Sequence, residues 1–212
     1  MRITLLTLSA IAYPTTLNHP PQHLLVLLHG WGADANDLAP LAQILNLPDH
    51  YLCFFPNAPF SHPELATGRS WYALETQSHD GLAESRHQLR DWLLSLEAET
   101  GVPLSRTILG GFSQGGAMTL DVGIELPLAG LICLSGYLHF QPHLLKNPIA
   151  PILMVHGRQD RVVPIQAARQ ARDALTAIAA EVEYHEFDMG HEIPQLLLSL
   201  VEKFIKRVQG DT

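Results

Sequence analysis

Two cysteines, Cys53 and Cys133, are too few for a disulfide framework in a chain of 212 residues. Each lies inside an apolar run, YLCFFP or GLICLSG, and reads as a small buried hydrophobe suited to a reducing compartment. Charge is also scarce. Asp, Glu, Lys and Arg make up 16% of the chain, the net charge is -8, and no stretch is densely basic. Nucleic acid is therefore not an expected partner, and an anionic membrane surface is disfavoured. Long apolar runs are missing too. LLVLL is far too short to span a bilayer, and neither end carries a lipidation signature, so no stable membrane insertion is expected. The opening MRITLLTLSAIAYP is shorter than the roughly 15–30 residues of a secretory signal. Its Thr4, Thr7 and Ser9 suit a strand better, and the expected compartment is cytoplasmic.

What is present is an alternation. Apolar residues make up 47% of the chain, and the length suits one domain over residues 1–212. Runs at 23–30, 51–56, 106–112, 130–136, 151–157 and 181–187 read as strands. Most are hydrophobic throughout, as parallel strands covered on both faces should be. Helical patterns fall between them at 34–46, 80–98, 114–126, 164–180 and 194–208. Leu89, Trp92, Leu93 and Leu96, for example, share one helix face. The order predicts an α/β fold with a doubly wound, mostly parallel sheet. There is no internal repeat, low-complexity tract or dividing linker. Residues 57–80 are rich in turn formers and predict a long loop at the carboxyl end of the sheet, where ligands bind.

The densest glycine cluster is GGFSQGG at 110–116. Gly111-Phe112-Ser113-Gln114-Gly115 is G-x-S-x-G, preceded by a strand-like run and followed by a helix-like one. A serine at so sharp a turn needs small residues two positions away on either side, and its hydroxyl projects clear of the sheet. The next backbone N–H lies at a helix N-terminus, where partial positive charge can meet an oxyanion.

A serine hydroxyl needs a base, and the base needs an orienting carboxylate. In this strand–turn–helix context the chain order is serine, acid, histidine. Asp160 follows the strand PILMVHG, and His191 follows the last strand, so both belong at the same end of the sheet as Ser113. His185 is a rival base and Asp188 a rival acid. His185, Asp188 and His191 together admit a metal reading, although His191 has no histidine four positions on. His156 ends a strand but precedes the acid, which suits a supporting role. His29-Gly30-Trp31-Gly32 ends the first strong strand in a turn able to aim a backbone N–H at the site. His29 itself reads as structural.

LLHGWGADANDL, GGFSQGGAMTL, LICLSGYL, PILMVHGRQDRVVP and MGHEI occur in this order across residues 23 to about 205. Together they resemble the small phospholipase/carboxylesterases, the group that includes acyl-protein thioesterases. The resemblance implies an α/β-hydrolase fold with helices on both faces of the sheet, no cap domain, and no metal or organic cofactor. It implies Ser113 as nucleophile, Asp160 as acid and His191 as base. Backbone N–H groups of Trp31 and Gln114 would form the oxyanion hole. SWYAL at 70–74 is similar to the family's aromatic segment, so Trp71 and Tyr72 are expected to line the substrate site. Trp31 stands where many thioesterase members have a smaller aliphatic residue, which either narrows the acyl site or points away from it. The expected activity is hydrolysis of a small-molecule carboxylic ester or thioester, with short to medium acyl groups preferred. Alternatives are action on long acyl chains as an acyl-protein thioesterase or lysophospholipase, and a non-catalytic hydrolase-like binding protein.

Overall fold

The apolar run His23–Leu28 becomes the hub of the sheet. In the computed structural model, which describes residues 8–14, 19–74, 76, 78–144 and 147–210, the chain order is as follows. Strand β1 (Ala10–Tyr13) and β2 (His23–Leu28) precede two short helices, α1 (Ala35–Leu38) and α2 (Leu41–Ile44). Then come β3 (Tyr51–Pro56), β4 (Phe60–Ser61), β5 (Arg69–Ser70) and the long helix α3 (Leu82–Thr100). The second half runs β6 (Thr107–Phe112), α4 (Gln114–Gly123), β7 (Gly130–Leu134), β8 (Ile152–Gly157), α5 (Ile165–Ala177), β9 (Val182–Phe187) and α6 (Leu198–Gln209). Seven strands pair in the order β1-β3-β2-β6-β7-β8-β9, and only β1 is antiparallel to its neighbour.

Every residue of β2 is buried, because the sheet is covered on both faces. Leu24, Val26 and Leu28 face the layer of α3, α4 and α5, in one buried cluster with Leu89, Leu93, Met118 and Leu175. Leu25 and Leu27 face the opposite layer, with Leu38 of α1 and Val201, Phe204 and Ile205 of α6. The stripe Leu89, Trp92, Leu93, Leu96 of α3 is fully or almost fully buried, as its spacing predicts. Truncating one such leucine to alanine costs about 2–5 kcal/mol.

The structure departs from the sequence expectation in two places. The helical pattern at 34–46 splits into α1 and α2, because Pro40 has no N–H to continue the ladder. The segment 57–80 is not uniformly loop, since β4 and β5 pair as a small antiparallel hairpin. The strand expected at the start of the chain is seen as Ala10–Tyr13, on the edge beside β3, while residues 1–7 lie outside the described residues.

The topology fixes where the site lies. From β2 the chain moves to β3 on one side and later to β6 on the other, so the connections diverge between β2 and β6. Such a switch point leaves a crevice beyond the strand ends. Gly30 and Ser113 sit on its two sides, and a Cβ added to Gly30 would lie 3.4 Å from the Ser113 Cβ.

The first turn of α4 is pressed against the end of β2. A Cβ on Gly115 would lie 2.1 Å from the Leu28 carbonyl oxygen and 2.6 Å from that of His29. By contrast, Gly101 after α3 has φ +76° but no atom within 4 Å of an added Cβ. Gly101→Ala is expected to cost only the left-handed backbone penalty, about 1–2 kcal/mol. Gly115→Ala is expected to cost more than about 4 kcal/mol, because two backbone carbonyls at the end of β2 must move. Urea unfolding of both variants checks this. Equal losses would contradict the packing described.

Candidate active site

Ser113 is the single residue between β6 and α4. It has φ +55° and ψ -117°, a conformation that costs a non-glycine residue about 1–3 kcal/mol. The surrounding glycines make the turn possible. A Cβ on Gly111 would lie 2.3 Å from the Gly115 carbonyl oxygen, so position 111 cannot carry a side chain whatever stands at 115. The Ser113 N–H donates to the Leu134 carbonyl at 2.9 Å, which ties the turn to the end of β7.

The loops after β8 and β9 bring the other two residues to this turn. The Ser113 hydroxyl is 2.9 Å from His191 Nε2, and His191 Nδ1 is 2.7 Å from Asp160 Oδ2. The carboxylate accepts, so Nδ1 carries the proton and Nε2 presents its lone pair to the serine. Asp160 is held by its own turn, with Oδ1 accepting from the N–H groups of Val162 at 2.9 Å and Val163 at 2.8 Å. His156 donates from Nε2 to the Val163 carbonyl at 2.8 Å, closing that turn from the strand side. The two loops are stitched together by Arg158 N–H to Phe187 O and Gln159 N–H to Met189 O. Gly157 is needed at their junction, since a Cβ there would lie 2.4 Å from the Met189 carbonyl oxygen.

The rival residues are engaged elsewhere. His185 lies in β9 beside Glu183 at 2.9 Å, and Asp188 pairs with Arg158 at 2.8 Å. Among the described residues, no three His, Cys, Asp or Glu side chains are grouped to hold a metal ion.

Opposite His191 lie the turn after β2 and the first turn of α4. The N–H of Ala58 donates to His29 Nε2 at 3.0 Å, so the His29 proton sits on Nδ1 and donates to Gly30 O at 2.8 Å. The ring thereby sets the path of Gly30 and Trp31. The Gln114 side chain, unremarked in the sequence, clamps the opposite loop. Its Oε1 accepts from Trp71 N at 2.8 Å and its Nε2 donates to Tyr72 O at 2.8 Å.

Trp71 and Tyr72, expected from the resemblance to line the substrate site, lie behind its surface. Both side chains are fully buried. The Trp71 indole donates to the His29 carbonyl at 3.0 Å, and the Tyr72 hydroxyl meets that of Tyr137 at 2.6 Å. They brace the site from one layer deeper, because each polar atom of an aromatic side chain found a partner inside. Trp31 is 38% exposed, and its ring stands edge-on to His62 with centroids 4.1 Å apart. His62 Nδ1 accepts from the N–H groups of both Glu64 and Leu65 at 3.1 Å. The indole is thus turned toward the β4–β5 hairpin.

Two titrations follow from burial and bonding. Burial presses the Asp160 carboxyl upward, but hydrogen bonds from His191, Val163 and Val162 outweigh it and hold it below its ordinary range. Burial pushes His29 below the ordinary histidine range, against the opposing effect of its bond to Gly30. Below about pH 6.5 the unfolded chain protonates this histidine while the folded chain resists, so His29 makes stability fall as pH drops. Asp160 works in a lower window. Its contribution is full above about pH 3.9 and is lost as pH falls further. The parent is therefore expected to lose more stability than His29→Gln between pH 7 and 5, measured by urea unfolding at each pH. Parallel curves would contradict the neutral, buried assignment of His29.

Known proteins resemble this chain along most of its length. The pattern of the phospholipase/carboxylesterase family matches residues 12–209. A crystal structure of esterase PE8 superposes with a TM-score of 0.86 at 31% identity, covering 95% of this chain and 99% of that one. Acyl-protein thioesterase 1 of Neurospora crassa is 35% identical over 84% of this chain and 80% of its own length. Acyl-protein thioesterase 1 of Saccharomyces cerevisiae is 29% identical over 89% of this chain and 93% of its own. The chain belongs to the phospholipase/carboxylesterase family, has the α/β-hydrolase fold, and is an enzyme of the carboxylesterase type.

Proposed function

We propose that this enzyme cleaves carboxylic esters and thioesters through an acyl-enzyme on Ser113. The observation that carries the reading is His191, bonded to Ser113 at 2.9 Å on one nitrogen and to Asp160 at 2.7 Å on the other. His191 Nε2 takes the hydroxyl proton as Ser113 Oγ bonds to the substrate carbonyl carbon. Asp160 keeps the imidazole in the required tautomer and stabilises the imidazolium. The N–H groups of Trp31 and Gln114 hold the oxyanion, the second of them at the N-terminus of α4. His191 then gives its proton to the departing alcohol or thiol. Water, activated by the same histidine, releases the acid and frees Ser113.

Short to medium acyl groups are the proposed substrates. One apolar void, lined by Leu38, Leu41, Leu134, Ile193 and Leu198, has about 10 Å³, the limit for one water, and gives an acyl chain no room. Each methylene buried adds about 0.8 kcal/mol, so long chains gain only where a groove receives them. A second reading, hydrolysis of long-chain acyl groups on proteins or lysophospholipids, is favoured by the names of the relatives, several of which are acyl-protein thioesterases.

Ser113→Ala is expected to lower kcat by about 10⁶ and Asp160→Asn by about 10⁴, with folding preserved. Steady-state hydrolysis of a p-nitrophenyl ester checks both, and near-normal turnover in either variant would overturn the assignment. Across aryl esters of increasing acyl length, kcat/KM should peak at about four to eight carbons. A value still rising at palmitoyl thioesters would establish the long-chain reading instead.

A further inference from the structure

Helix α4 carries a second polar anchor that the proposed chemistry does not use. Asp121 is seven residues after Gln114, so the two side chains leave the same face of the helix, two turns and about 10 Å apart. Asp121 is buried, and its Oδ2 lies 2.6 Å from Nδ1 of His139, also buried, in the loop that follows β7. From His139 the chain runs back through Leu138 to Tyr137. The Tyr137 hydroxyl meets the Tyr72 hydroxyl at 2.6 Å, and the Tyr72 carbonyl accepts from Gln114 Nε2 at 2.8 Å. These contacts close a ring, from Gln114 through Tyr72, Tyr137, His139 and Asp121 back along α4.

We infer that this ring positions the Gln114 backbone N–H as an oxyanion donor, with Tyr72, Tyr137, His139 and Asp121 as positioning residues for the reaction. The inference rests on the proposed role of Ser113 and deepens it. The argument begins with cost. A carboxylate taken out of water needs its partner held in good geometry, and the pair adds little to stability over apolar residues of like size. His139 Nε2 is buried with no hydrogen-bond partner among the described residues, a further cost. Its ring is instead fixed by packing, 4.7 Å from the Tyr72 ring at 84° and 5.2 Å from the Tyr137 ring. Burial raises both phenols, so each remains a hydroxyl and the pair keeps one donor and one acceptor.

What the ring fixes is the rotation and slide of α4 against two loops. Gln114 alone attaches the first turn to the Trp71–Tyr72 backbone. Asp121 adds an attachment two turns further on, and the tyrosine pair locks the two attached loops to each other. A helix held at two points on one face cannot rotate about its axis. The Gln114 N–H direction is then set before substrate arrives. An oxyanion donor is worth most when it is already aimed at the tetrahedral oxygen rather than at the ground-state carbonyl. Misplacement by a fraction of an ångström therefore shows in kcat more than in KM.

The test uses Tyr72→Phe, Tyr137→Phe and the double variant, with Ser113→Ala in the same assay. Each single variant should lower kcat about tenfold with KM within about twofold. The inhibition constant of a trifluoromethyl ketone, which forms a tetrahedral adduct on the serine, should rise by the same factor as kcat falls. In the double variant no hydroxyl is left unpaired, so Tm should recover toward the parental value while kcat stays low. Recovery of kcat in the double variant would overturn the inference, as would a loss of kcat that leaves inhibitor affinity unchanged. Turnover by Ser113→Ala would instead overturn the underlying catalytic reading.

Discussion

The close approach of Gly115 to the end of β2 is the constraint on which the site depends. The Leu28 and His29 carbonyls occupy the space that a side chain at position 115 would fill. With that contact made, the first turn of α4 and the turn after β2 face each other across the crevice. Ser113 stands between them, and in the proposed mechanism the N–H groups of Trp31 and Gln114 serve it from the two sides. Neither turn could retreat without opening the sheet between β2 and β6, which is paired from Leu24–Thr107 to Leu28–Gly111. The strained backbone of Ser113 is sustained by this packing and by its bond to Leu134, rather than by local preference.

Three buried histidines do different work in this frame because their partners differ. His29 is locked neutral between an N–H and a carbonyl, so it shapes a turn and holds no exchangeable role. His139 faces a carboxylate on one nitrogen and aromatic rings on the other side, which suits an anchor. His156 closes the turn that contains Asp160. His191 differs from all three in meeting a hydroxyl on one nitrogen and a carboxylate on the other, at the mouth of the crevice. A proton can move between its Nε2 and the serine without leaving any buried donor or acceptor unpaired.

Much of the architecture was legible in the residues. Strands covered on both faces read as continuous apolar runs, so β2, β3, β6, β7 and β8 stood out. The sharp turn at Ser113 was legible because it tolerates only glycine nearby, and the placement of Asp160 and His191 beside it followed from their positions after strands at the same end. The parts that escaped have physical reasons. Two-residue strands such as β4 and β5 are too short to show a period. Aromatics in a polar loop carry no periodic signal either, so the burial of Trp71 and Tyr72 had to come from the structure. The amide of Gln114 and the pairing of Asp121 with His139 are long-range contacts, between residues whose types alone suggest nothing in particular.

The central claim is that an acyl group passes through Ser113. Rapid acid quenching of the enzyme with a p-nitrophenyl ester, followed by mass spectrometry of its peptides, tests this directly. The account predicts that the acyl mass appears on the peptide containing Ser113 and accumulates further in Asp160→Asn wherever deacylation slows more than acylation. An acyl mass on another residue, or full turnover with no adduct at Ser113, would contradict it.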